Sequence, residues 1–211
     1  MEPDTGNAGE GIGMSRTESE APADAGNCSG PNSSGRAPRR LKRSRRIVVS
    51  ALMVALGVAL SIYPGSIPLG PTRVFPFQHM INAICGIFLG PADAVLIALA
   101  IGMVRMGIGT GTVFAVSGGV PGALVVGLVY GYLLRRDAVA LTEPVGTLLG
   151  ALISALLVAP LTGNVPFPAF AGLTAQWQLF SVFFLMSSLP GAVLGYLVTK
   201  ALRRSNVLAN M

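Results

Sequence analysis

The chain has 211 residues, 52% hydrophobic and 11% charged, with a mean hydropathy of +0.65 and a net charge of +6. Soluble domains carry roughly 25% charged residues. Residues 1–46 hold 14 of the 24 Asp, Glu, Lys and Arg, which leaves 10 for the 165 residues from Ile47 onward. Such a segment cannot cover a soluble surface and must have lipid as its solvent, so the composition is that of an integral membrane protein.

Counting also excludes several chemistries. Cys28 and Cys85 are the only cysteines and His79 the only histidine. A disulfide framework, a zinc cluster and a two-histidine metal motif are therefore ruled out, and no metal or other cofactor is expected. Lys42 is followed by Arg43 and Lys200 by Ala201, so there is no GxxxxGK[ST] phosphate-binding loop. Any ATP hydrolysis that drives this protein belongs to another chain. The basic block at 36–46, seven Lys and Arg in eleven residues, abuts an apolar run. It reads as a topology signal facing anionic membrane lipid rather than as a nucleic-acid patch.

Residues 1–46 mix acids with Gly, Ser, Asn and Pro before that block and read as a disordered cytoplasmic tail. Ser44-Arg45-Arg46 resembles an export signal, but the polar region before it is long for one and more apolar spans follow. Six apolar stretches come next, near 47–63, 77–89, 92–108, 120–134, 145–160 and 176–199. They predict an all-α, six-helix membrane domain over 47–204 and a short tail at 205–211, with both termini cytoplasmic in a multi-pass cell-membrane protein. Charge supports this count. Six spans place 12 basic residues (the 36–46 block, Arg135, Arg136, Lys200, Arg203 and Arg204) on the cytoplasmic side, as the positive-inside bias requires.

Three loops then face outward, at 64–76, 109–119 and 161–175. PGSIPLGPTRVFPF (64–77) holds four prolines, GTGTVFAVSGG (109–119) is glycine-rich, and LTGNVPFPAFAGLT (161–174) pairs Pro with Phe. Together they predict a binding mouth, since irregular backbone at membrane depth is tolerated where it lines a cavity.

Gln78, His79 and Asn82 carry the most chemistry. On a helix starting near Phe77 they share a face, and polar groups there turn toward the bundle or a cavity. They suit a small polar ligand, with interhelical hydrogen bonding as the alternative role. Arg105, near the outer end of the third span, is followed by Thr110 and Thr112 and is expected to face the cavity or to snorkel to the interface. Phe75, Phe77, Phe167, Phe170 and Trp177 cluster at the outer face, as an aromatic belt or as walls for a flat ring. Glu143, between Thr142 and Pro144, reads as an ordinary helix start on the cytoplasmic side, outside the site. Ala51, Ala55 and Ala59 form a smooth ridge for close helix approach, either within the bundle or from outside it.

SIPLGPTRVFPFQHMINAICGIFLGP (66–91), MVRMGIGTGTVFAVSGGVPGALVVGLVYG (103–131) and EPVGT (143–147) together resemble the ThiW family over about 47–200. VFPFQHMIN and GTGTVFA are the most specific parts. The resemblance implies a substrate-binding S component of an energy-coupling factor (ECF) transporter that takes a thiamine precursor, hydroxyethylthiazole, from outside. It implies a transmembrane coupling subunit and two cytoplasmic ATPases as partners, and docking on the coupling subunit through an AxxxA motif matched by Ala51, Ala55 and Ala59. Two other functions fit the residues: a stand-alone secondary transporter or channel for a small heterocyclic solute, and an intramembrane hydrolase using His79 with a serine. The latter lacks a GxSxG elbow, and Ser66 lies in a proline loop.

Overall fold

Arg43–Ile62 forms the first helix, α1. The structure is a computed structural model that describes residues 43–63, 65, 67–69, 72–163 and 176–205, all within one unit, Arg40–Met211. The expected tail therefore lies almost wholly outside the described residues, although Arg43, Arg45 and Arg46 already belong to α1.

After α1 comes a small antiparallel hairpin, β1 (Ile67–Leu69) paired with β2 (Thr72–Val74), with Ile67 opposite Val74. Four prolines in this stretch argue against helix, and a short ribbon is what they leave room for. α2 (Pro76–Phe88) opens with Pro76 in its first turn, where a missing N–H costs nothing. The turn into α3 (Pro91–Gly107) is made by Gly90 at φ +91°, a conformation that favours glycine.

α4 (Val113–Leu128) runs on through a π turn, Val129–Leu133. A 3-10 helix, Asp137–Thr142, leads into α5 (Glu143–Ile153), a second π turn (Ser154–Val158) and α6 (Ala159–Thr162). α7 (Gln176–Arg204) closes the fold.

Two expected boundaries are corrected. The stretch 109–119 is not a loop throughout, because α4 begins at Val113 and its Gly118 and Gly119 are contact points inside a helix. Nor is Glu143 at the edge of its span. Thr142 makes no side-chain cap bond, and six 3-10 residues precede it. At ~2 Å per residue they set Glu143 about 12 Å in from Asp137.

Among the described residues, four helical runs are long and apolar enough to cross a membrane: Arg43–Ile62, Val113–Leu133, Asp137–Thr162 and Gln176–Arg204. α3 has 17 residues and α2 only 13. At ~1.5 Å per residue α2 covers about 20 Å, short of a ~30 Å hydrocarbon core.

Polar contacts fix the order of the segments. Arg46 at the start of α1 bonds Asp93 at the start of α3 and the Leu89 carbonyl just after α2. Arg203 near the end of α7 bonds Asp137 and the Tyr130 hydroxyl, and its guanidinium also lies over the Phe88 ring. One end of the bundle thus gathers the starts of α1, α3 and the Asp137 segment with the ends of α2, α4 and α7. The six segments alternate in direction. α4 packs between α3 and α5 and also touches α2; α2 lies along α7; α1 sits at the edge against α3 and α2. The outer faces are apolar, with Val48, Leu52, Leu96, Leu156 and Leu189 all exposed, as a lipid-facing coat requires.

Candidate functional site

Counting α5 and α6 with the 3-10 and π turns that join them as one run, α2 is the shortest of the helical segments, and it carries Gln78, His79 and Asn82. Its contacts show where it sits. The Phe75 N–H donates to Ser187 Oγ at 2.8 Å, and Gly191 and Gly195 of α7 lie directly against Pro76, His79, Met80 and Ala83. Ser187 is eleven residues along α7, so α2 starts ~16 Å below the top of that helix. β2, which leads into α2, also packs against α7. Gln78, His79 and Asn82 therefore lie deep in the bundle, and all three are buried.

Glycines in α4 let polar side chains reach this depth. A Cβ at Gly119 would collide with Gln78 Nε2, and one at Gly122 with Glu143 Oε1. With hydrogen at both positions, Asn82 Nδ2 donates to the Gly119 carbonyl at 3.0 Å and Gln78 Nε2 to the Ala115 carbonyl at 3.3 Å. Asn82 Oδ1, in contrast, is buried with no hydrogen-bond partner. Leaving such an acceptor unmet costs ~1–3 kcal/mol.

Below this layer His79 Nδ1 lies 2.7 Å from Glu143 Oε1. Thr147 Oγ1 donates to the same oxygen at 2.9 Å, and Ser188 Oγ donates to Oε2. Glu143 is fully buried, yet its two oxygens accept from three neighbours. A carboxylate at this distance favours the arrangement with Nδ1–H directed at Glu143. Ser188 bonds the carboxylate and not the imidazole, and Thr147 Oγ1, 3.4 Å from His79 Nδ1, makes its shorter bond to Glu143 Oε1. Ser66 lies outside the described residues.

Above the layer, Arg105 in the last turn of α3 is 1% exposed. Its guanidinium donates to Gln78 Oε1 through Nη1 and to the Thr110 carbonyl through Nη2 at 3.3 Å, and it lies 3.9 Å from the Phe75 ring centroid. Nε has no partner. The ring contributes about 0.5–2 kcal/mol and the α3 C-terminal dipole up to ~2 kcal/mol. Desolvating an ion costs several kcal/mol, so the site holds positive charge that is only partly compensated. Phe75, Phe77, Gln78, Arg105 and Ser61 line a narrow crevice at the α1 edge, beside Gly57 and Leu60.

Of the expected site residues, the structure brings together Phe75, Phe77, Gln78, Arg105 and Thr110, whose hydroxyl lies 3.4 Å from Ser61 Oγ. Asn82 and His79 continue this polar path along α2. Thr112 is exposed at the start of α4. Trp177 is exposed in the first turn of α7, ten residues or ~15 Å above the Phe75 contact, so neither joins the group. Phe167 and Phe170 lie outside the described residues. Glu143, Thr147, Ser188 and Ser61 are the additions. An acid four residues before a threonine, followed by an apolar run, was the available signal for the first two.

The α2 residues thus form a polar face sunk into an apolar bundle, and the sequence places the chain in a family. The model for the thiamine-precursor transporter protein (ThiW) matches residues 47–205. The chain belongs to the ThiW family. No curated protein and no solved structure matches it. Both α2 and Glu143 fall within the matched span, and as a family member the chain is a membrane transport protein for a thiamine precursor.

Proposed function

We propose that this ThiW protein is the substrate-binding S component of an ECF-type importer, taking hydroxyethylthiazole or a close relative from outside and relying on a separate coupling subunit and two ATPases. The observation that carries the reading is the buried polar face of α2 with Asn82 Oδ1 unmet. Gln78, His79 and Asn82 offer donors and acceptors to a small heterocycle, and Phe75 and Phe77 offer ring faces.

In the same reading all six segments traverse the membrane, with α2 completing its crossing through the hairpin that precedes it and both chain termini cytoplasmic. Support comes from Arg46, Arg203 and their acids gathering at one end, as the positive-inside bias demands. An impermeant thiol reagent applied to intact cells should label Thr112→Cys and Thr162→Cys in a Cys-free background, and should miss Arg136→Cys. Labelling of Arg136→Cys would invert the orientation.

Docking on the coupling subunit falls to Ala51, Ala55 and Ala59. All three are exposed in the described structure, which favours contact with another chain over packing inside the bundle.

The direct test of the site is binding by the purified protein. Asn82→Ala should weaken hydroxyethylthiazole by about 5- to 150-fold, the equivalent of ~1–3 kcal/mol, while melting stays near wild type. Unchanged affinity in Gln78→Ala, His79→Ala and Asn82→Ala alike would return these residues to structural hydrogen bonding.

A stand-alone secondary transporter is the second reading. It draws support from the His79–Glu143 pair, because buried ionisable pairs in membranes serve as proton relays.

A further inference from the structure

The acids of the described bundle are already engaged. Asp93 pairs with Arg46, Asp137 with Arg203 and Glu143 with His79. Among the described residues none lies within ion-pair distance of Arg105, although Arg105 is the largest fully buried side chain. Gln78 and the Thr110 carbonyl take one bond each from its terminal nitrogens. Nε, on the edge it shares with Nη2, has no acceptor. That edge is the part of a guanidinium that receives two oxygens of a carboxylate or phosphate side by side. Arg105 lines the crevice, where Phe75 and Phe77 supply aromatic faces.

We propose that Arg105 receives an anionic oxygen group of the substrate, a phosphate ester or a carboxylate carried on the heterocycle. The inference rests on the binding reading above and fixes the charge of its ligand. The ring lies toward Phe75, Phe77 and the α2 polar face, while the anion takes the Nε–Nη2 edge. A neutral alcohol fills the same space but leaves the guanidinium without a counter-charge in a poorly solvated site.

The test compares three probes on the purified wild-type protein: hydroxyethylthiazole, its phosphate monoester and a thiazole carboxylic acid. One of the two anions should bind about 10- to 100-fold more tightly than the alcohol, and which one identifies the group. Arg105→Lys should keep a preference for the anion, and Arg105→Gln should erase it. An alcohol that binds the wild type as tightly as both anions overturns the proposal and leaves the thiazole-binding function standing. That comparison needs no variant, so misfolding of an Arg105 substitution cannot obscure it. Failure of all three probes to bind overturns the proposal together with the function on which it rests.

Discussion

Glu143→Ala should be the most destabilising single substitution in the bundle. The carboxylate accepts from His79, Thr147 and Ser188, so its removal strands three donors among α2, α5 and α7. Breaking a buried pair by deleting one partner costs about 3–5 kcal/mol, which for a chain of this size lowers the melting temperature by on the order of 10 °C. Glu143→Gln keeps acceptor capacity and should lose much less. Melting in mild detergent checks both variants. A wild-type melting temperature for Glu143→Ala would mean that the cluster contributes little to holding the helices together.

Ala51→Trp combined with Ala55→Trp should act in the opposite way, leaving the fold intact while abolishing transport. Both alanines are exposed, so an indole at either meets lipid rather than a neighbouring helix of the same chain. The face of α1 that packs inward is a different one. Gly57 lies against Ile101 and Ile81, Ser61 reaches Thr110, and Arg46 reaches Asp93. Small residues allow the closest helix approach in membranes, and two indoles hold a partner helix away. Hydroxyethylthiazole affinity should stay within about 2-fold of wild type, a change below ~0.5 kcal/mol. Co-purification with the coupling subunit and uptake by cells should both be lost. Parallel loss of ligand binding would place the ridge inside the working bundle instead.

Helix existence was legible because apolar runs broken by Gly-Pro and Arg-Arg leave little freedom. α2 and α3 each begin and end within one residue of the apolar stretches read from sequence. The start of α4 was not legible. Glycines at 118 and 119 read as loop residues, whereas their role is to let Phe184 and Gln78 approach the helix backbone, and such a contact depends on which helix lies opposite. Glu143 was hidden for a related reason. Thr-Glu-Pro is a good helix start, and α5 does begin there, but a 3-10 segment ahead of it carries the acid into the bundle. On the ligand side, periodicity alone placed Gln78, His79 and Asn82 on one face. Spacing could not show that Asn82 would keep an unmet oxygen or that the three acids would all be paired away from Arg105. For the ridge, a four-residue repeat of alanines gives smoothness but not direction, and the exposure of Ala51, Ala55 and Ala59 supplies that.

The central claim, a binding subunit powered by other chains, is tested most directly by uptake of labelled hydroxyethylthiazole into cells that lack any ECF module. The protein is expressed there alone or together with a coupling subunit and its two ATPases. Purified protein should bind the thiazole in either case, while accumulation should appear only with the ATPases present. Accumulation by the protein alone, abolished by collapsing the proton gradient, would contradict the claim and assign the His79–Glu143 pair to a secondary transporter.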